Sequence, residues 1–332
     1  MFKFSSLVRY FLVLILCGFV SLNAQGKKYT PQTLEELKNI VDSDVYLGDI
    51  DTSMITDMGE LFKESTRRDF KGIETWDVSK VTDMGSMFEE AIYFNEDISG
   101  WDVSSVENMS FMFFNATSFN KDISKWNTSK VTNMSFMFER ATSFNQNINK
   151  WDVSNVEDME SMFALAESFN KPLDKWDVSK VKNMSHMFSE AKSFNQNINN
   201  WNVSKVTNMR ALFSEAESFN KPLDKWDVSS VVTMDAMFSG ASKFNQNINN
   251  WNVSNVANMT RMFEDAYSFN KPLDKWDVKE AKLMESMFNR AFSFSQDLSG
   301  WSVLGKSHSG MLNDTKLKTK HMYKKYPKHF DF

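Results

Sequence analysis

The chain has 332 residues with 11 Gly, 5 Pro and a formal net charge of −5. So few Gly and Pro exclude a disordered linker or a collagen-like chain, and the charge, spread along the length, leaves no nucleic-acid footprint. The length alone suggests about two domains, but the tryptophans override it: Trp76, Trp101, Trp126, Trp151, Trp176, Trp201, Trp226, Trp251, Trp276 and Trp301 follow one another at a constant 25-residue step, and no Trp lies outside that register. A strict period of this size is the signature of a solenoid, whose coils bury their faces against neighbours and need no central core.

Four segments are expected. Residues 1–24 read as a secretory signal: Lys3 and Arg9 give a positive start, residues 10–20 are almost wholly apolar, and Ala24 offers a small residue for cleavage. The apolar run is shorter than the ~20 residues a membrane-spanning helix needs, so no transmembrane segment is expected in the mature chain. The single cysteine, Cys17, lies inside that run, which leaves the mature chain without disulfides or thiol chemistry. Residues 25–62 form an N-terminal cap and a divergent first coil. A helix is expected over 30–41, with Thr33 and Glu36 as a capping box and Leu34, Leu37, Ile40 and Val41 as one apolar face.

Residues 63–303 are the solenoid. In the unit 94–117, Trp101 and Val103 alternate with Asp102, the pattern of a short strand with one buried face. Met109, Met112, Phe113 and Ala116 fall at i, i+3, i+4 and i+7, the buried stripe of a short helix, with Asn108 placed to cap it. The expected fold class is therefore an α/β repeat: a right-handed leucine-rich-repeat-like solenoid with one short parallel strand and one short helix per coil. The inward set is Ile98, Trp101, Val103, Val106, Met109, Met112, Phe113, Ala116 and Phe119. The recurrent Met pairs are core filler against Phe rather than a thioether metal array. The Asn that follows the first Phe of each coil (Asn95, Asn120, Asn145 and onward to Asn270) is a turn-satisfying ladder. From Phe144 the coils alternate between FNQNIN and FNKPLDKWDV openings, read as the trace of a duplicated two-coil unit.

Residues 304–332 form a basic C-terminal cap with Lys306, Lys316, Lys318, Lys320, Lys324, Lys325 and Lys328, and three of the four histidines. It reads as a short helical cap with a solvated basic face, or as a docking patch for an acidic surface or glycan. His186 stands alone in the repeats, on an outward helix position without a positioned partner, so acid–base catalysis is not expected. No nucleotide, metal or nucleophile motif appears. No enzyme activity, cofactor or metal is expected.

The repeat wording WDVSxVxNMxxMFxxAxxFN resembles that of the BspA-like leucine-rich-repeat surface proteins of bacteria, with clear copies from Trp76 to Val303. The ninth Trp coil departs from it at Lys279, Glu280 and Ala281, and no cell-wall sorting motif follows the repeats. The resemblance implies a secreted or surface-displayed protein that binds partners, and it supplies no catalytic residues. The expected role is a secreted or cell-surface binding or adhesion protein contacting a protein or glycan, not nucleic acid. The alternatives are a structural surface-layer or matrix component and, less favoured, a carbohydrate-active enzyme. The expected contact residues flank the tryptophans: Lys150, Asp152, Lys175, Asp177, Asn200, Asn202, Lys225 and Asp227. The ligand and the oligomeric state are left open by the sequence.

Overall fold

The computed structural model of the chain describes residues 26–303 and 305–317. The expected signal segment and the basic tail from residue 318 onward lie outside the described residues. The chain opens with α1, Leu34–Val41, whose start is fixed by Thr33 accepting the amide of Glu36 at 3.2 Å. The return bond lands one residue further out than expected, because the Glu36 carboxylate accepts the amide of Gln32 at 2.7 Å. Leu37 and Val41 are buried against the first coil. The Arg67 guanidinium donates to the carbonyls of Val41 and Val45, so the helix end is satisfied by the stack it covers.

From there the coils stack in register. One residue per coil makes a parallel β-bridge to the next, in an unbroken column from Asp57 through Asp83, Asn108, Asn133, Asp158, Asn183, Asn208, Thr233, Asn258 and Leu283 to Ser307. The expected inward set holds without exception: Ile98, Val106, Met109, Met112, Phe113, Ala116 and Phe119 are fully buried, and Trp101 and Val103 nearly so. The Met pairs sit in this core, as packing predicts.

The backbone carrying these side chains differs from the expectation. Among the described residues the only helical elements are α1 and two short 3-10 turns, Leu47–Asp49 and Ile73–Thr75. The stretch after Asn108 is not a helix but a run of tight turns. The amides of Met112 and Ala116 return to the carbonyls of Met109 and Phe113 at 3.3 and 3.1 Å, and Phe111 and Asn115, third in their turns, have φ of +57° and +52°. A positive φ at that position is the geometry of a type II turn. The amides of Met109, Phe111, Phe113 and Asn115 point sideways, to the carbonyls of Asn133, Ser135, Met137 and Glu139 at 2.7–3.1 Å. A two-turn helix would use those amides internally, and so short a helix is unstable alone in water. Given to the next coil, the same amides hold the stack together. The i, i+3, i+4, i+7 spacing fits both backbones, because two consecutive turns also bring those four residues to one side.

The expected strand at Trp101 and Val103 is likewise absent. The amide of Trp101 turns back to Ile98 and that of Val106 to Val103, at 3.1 and 3.0 Å, which consumes the donors a ladder would need. The bridged residue is instead the one expected to cap a helix. Its side chain does accept the amide two residues on, as from Ser110 to Asn108 at 3.0 Å and from Ser135 to Asn133 at 2.9 Å, but the bond closes a turn.

Aromatic ladders fill the interior. Phe88, Phe113, Phe138, Phe163, Phe188, Phe213, Phe238, Phe263 and Phe288 stack with centroids 5.4–5.7 Å apart. Each also packs on the second Phe of its own coil, as Phe113 does on Phe119 at 4.0 Å. Every Trp indole donates to a carbonyl of the preceding coil, for example Trp151 to Ile123 at 2.9 Å and Trp176 to Ile148 at 3.1 Å. The ring is therefore buried with its one polar atom satisfied.

Candidate binding surface

The coil leaves two exposed faces, one beside the Trp and one over the Met–Phe turns. On the Trp side the structure places Lys150, Asp152, Lys175, Asp177, Asn200, Asn202, Lys225 and Asp227 in solvent, as expected. Their polar groups also close the coil. One oxygen of Asp152 accepts the amide of Ser154, and that of Asn202 accepts both the amide and hydroxyl of Ser204. Asp177 and Asp227 are held below the usual carboxylate range, chiefly by the hydroxyls and then the amides of Ser179 and Ser229. Asn200 donates to the carbonyl of Asp174 at 2.7 Å, and the amides of Lys175 and Lys225 donate to Asn149 and Asn199 at 3.0 Å.

The same side carries two further ladders. Each Asn after the first Phe accepts the amide of its counterpart one coil on, from Asn95 and Asn120 through to Asn270 and Ser295, at 3.0–3.1 Å. The expected structural role of that ladder is what the geometry shows. The two-coil alternation has a chemical meaning beyond duplication. Gln146, Gln196, Gln246 and Gln296 clamp the Asn of the coil before them, and Asn149, Asn199 and Asn249 donate to Asp174, Asp224 and Asp274 at 2.9 Å. One coil type supplies the amide and the next the carboxylate.

The Met side is different. Four outward positions of each coil, one, two, five and six residues after the first Met, form four columns running the length of the stack. The second column reads Ser86, Phe111, Phe136, Ser161, His186, Ala211, Ala236, Arg261 and Ser286, and the fourth reads Glu90, Asn115, Arg140, Leu165, Glu190, Glu215, Gly240, Asp265 and Arg290. Neither column keeps one residue type along the stack. Both columns sit at positive φ in every coil. His186 stands in an outward position as the sequence reading had it, but on a turn rather than a helix: it is half-buried at φ +58°, and burial together with Arg210 lowers its pKa. Glu139 and Glu215 move the other way from the Trp-side carboxylates. Burial raises both, and for Glu215 the nearby Asp265 adds to it. The coil-to-coil variability of these columns was visible in the sequence. It was missed because a helix reading does not line the four positions up as rows.

At the C-terminal end Lys306 is not a solvated cation. Its ammonium donates to the carbonyls of Val278, Lys279 and Ala281 at 2.7–2.8 Å, and burial lowers its pKa. It plugs the corner of the coil before it. At the other end an open groove of about 470 Å³ is lined by Glu64, Arg68, Glu90, Ile92 and Tyr93, with the Arg68 guanidinium 4.3 Å from the Tyr93 ring centroid.

Stacked coils, a backbone committed to lateral bonding and variable exposed columns define a tandem-repeat solenoid with extended surfaces. The chain belongs to the DUF285 family, described as "Mycoplasma protein of unknown function", whose model matches residues 32–148, 121–224 and 208–325. No curated protein matches the chain. Among solved structures it is similar to a chain of the "Crystal structure of TLR13-ssRNA13 complex", at 10% identity and a TM-score of 0.29, over 80% of this chain and 41% of that one. The chain thus spans about two-fifths of the length of that solved relative. Among the described residues no helix is long and apolar enough to cross a membrane.

Proposed function

We propose that the protein is a binding or adhesion module, secreted or displayed at a cell surface, that engages a protein or glycan along an extended exposed face and catalyses no reaction. One observation carries this reading. Within a chain whose core repeats almost verbatim, side chains outside the core differ from coil to coil, among them the largely half-buried columns over the Met–Phe turns. The core rows beneath these columns are filled by the same residue types in nearly every coil. A rigid frame presenting different side chains in rows binds by many shallow contacts rather than in one pocket. The likeness of the repeat to BspA-like surface proteins and the signal-like residues 1–24 support export.

A second surface is favoured by its exposure alone, namely the Trp-side rows of Lys150, Asp152, Lys175, Asp177, Asn200, Asn202, Lys225 and Asp227. Glycan-array and immobilised-polypeptide binding with the purified protein, run beside a glycoside- and peptide-hydrolase screen, tests the reading. Saturable binding without turnover is expected. Turnover of any substrate overturns the non-enzymatic part, and self-assembly without a heterologous ligand favours a surface-layer or matrix component. Asp152, Asp177 and Asp227 changed together to Ala weaken binding only if the Trp side is the contact face.

A further inference from the structure

Phe111, Phe114 and Phe136 break the pattern of the Met side. Phe111 and Phe136 occupy a column that otherwise holds Ser, Ala, His or Arg, and Phe114 occupies one that carries Glu89 before it and Glu139 after it. The rings form one patch: Phe111 stacks on Phe136 with centroids 4.4 Å apart and planes at 7°, and Phe114 meets Phe111 at 5.8 Å. All three are half-exposed. The rows beneath them, Met112, Phe113, Met137 and Phe138, are fully buried and leave no gap for these rings to fill.

Backbone conformation sharpens the anomaly. Phe111 and Phe136 sit at φ +57° and +60°. That region disfavours side chains with a Cβ and suits Gly or Asn, so a bulky aromatic is among the poorest choices for it. Exposure, strain and departure from the column all oppose stability, and they coincide at two successive coils. Such a coincidence points to function rather than folding.

The surrounding charge identifies the occupant. In the four columns the cations are Lys63, Arg140, Arg210, Arg261 and Arg290, and each already lies beside a carboxylate of the same face. Glu90 and Glu160 add negative charge on either side of the aromatic patch, and Glu139, whose pKa burial raises although Arg140 lies 3.9 Å away, is a partly desolvated carboxylate that gains from a closer cation. The patch is therefore apolar at its centre and acidic at its rim. Ring orientation disfavours a sugar: Phe111 and Phe136 hide their faces against each other and present edges.

We propose that Phe111, Phe114 and Phe136 are the anchor site for a basic polypeptide segment, one that seats an aromatic or branched apolar side chain on the rings and sets flanking Lys or Arg against Glu90, Glu139 and Glu160. This rests on the binding reading above and names its surface and partner class. Hot spots of protein interfaces have this composition, a desolvated aromatic centre inside a charged rim.

The test titrates the purified protein, at low ionic strength, with three labelled synthetic peptides: Lys/Arg flanking a central Trp-Leu pair, the same cations flanking Ser-Ser, and Glu flanking Trp-Leu. Saturable binding of the first is expected, at least about tenfold tighter than either of the others. Phe111→Asn with Phe136→Asn is expected to abolish that preference while leaving the melting midpoint within a few degrees of the parent, because Asn accepts the positive φ. Glu90→Gln with Glu160→Gln is expected to weaken binding and flatten its salt dependence. Equal binding of the acidic peptide, full binding by the Phe variant, or no saturable binding of the first peptide overturns the proposal. So does concentration-dependent self-association lost in the Phe variant, which would make a second copy the occupant. If the Phe variant keeps whatever polypeptide or glycan the parent takes, this site falls and the binding reading stands. If the parent takes none, the binding reading falls with it.

Discussion

On the Trp side of each coil, side chains spend their polar atoms on the neighbouring coil or on their own turn: indole to carbonyl, Asn to amide, Gln to Asn, Asn to Asp. On the Met side the coils are joined in every turn by backbone, amide to carbonyl, and only at some coils by side-chain pairs such as Asn289 to Glu264, Thr260 to Glu285 and Arg210 to Asp235. The first face repeats from coil to coil because a change in one coil leaves an unmet donor or acceptor in the next. The second varies because most of the bonds it contributes to the stack are made by backbone and do not depend on residue type. Side-chain bonding between coils is thus regular on one side of the 25-residue unit and occasional on the other.

The strongest way to break that division is to damage the Trp side. Trp151→Ala removes a buried ring and its bond to the Ile123 carbonyl, and is expected to cost about 3–5 kcal/mol, measured by denaturant unfolding. An unchanged midpoint would refute the ladder. Next is Asn170→Ala, which leaves the amide of Asn195 without its acceptor and the Gln196 amide group with only the carbonyl of residue 170. A loss of about 1–3 kcal/mol is expected at this half-buried position, whereas alanine at the exposed Ser193 should be near neutral.

The Met side makes a prediction of opposite sign. Glu90 sits exposed at φ +58°. Asn tolerates that geometry, so Glu90→Asn is expected to raise stability by up to ~1 kcal/mol. In a helix Asn would be a poorer former than Glu and the change would destabilise, so the sign of the effect in thermal unfolding separates turns from helix.

The smallest effect concerns pH. Asp177 and Asp227 have lowered folded pKa values, so the stability they add is present above the unfolded Asp value of about 3.9 and is lost as pH falls through the lower folded value. Glu139 and Glu215 have raised values. Their unfavourable contribution, full at neutral pH, fades as pH falls through the folded value towards the unfolded Glu value of about 4.3. Acid titration of Asp177→Asn with Asp227→Asn should show a shallower loss than the parent below about pH 4. Glu139→Gln should remove a gain that begins at higher pH. The same slope in both variants would contradict the contrast between the faces.

Much of this was legible in the residues. The Trp step gave the coil length, the apolar positions gave every inward side chain of the 94–117 unit, Thr33 marked the start of α1, and the Asn column was read correctly as structural. The eight Trp-side positions were placed correctly in solvent, although their oxygens prove to be shared with local turns. The aromatic patch was not read, since Phe111, Phe114 and Phe136 come together only once the turns align their columns.

The sequence by itself therefore determined periodicity and the inside–outside partition, because burial of apolar side chains follows spacing whatever backbone carries it. Only the tertiary structure decided that backbone. Met109, Met112, Phe113 and Ala116 suit a helix and a pair of turns equally, and the choice rests on hydrogen bonds between residues a full coil apart, such as Phe113 to Met137. Left-handed residues would ordinarily announce turns as Gly or Asn, but here most are Ser, Phe, Ala, Glu or Arg. Lateral bonding holds them in a conformation that their own side chains disfavour.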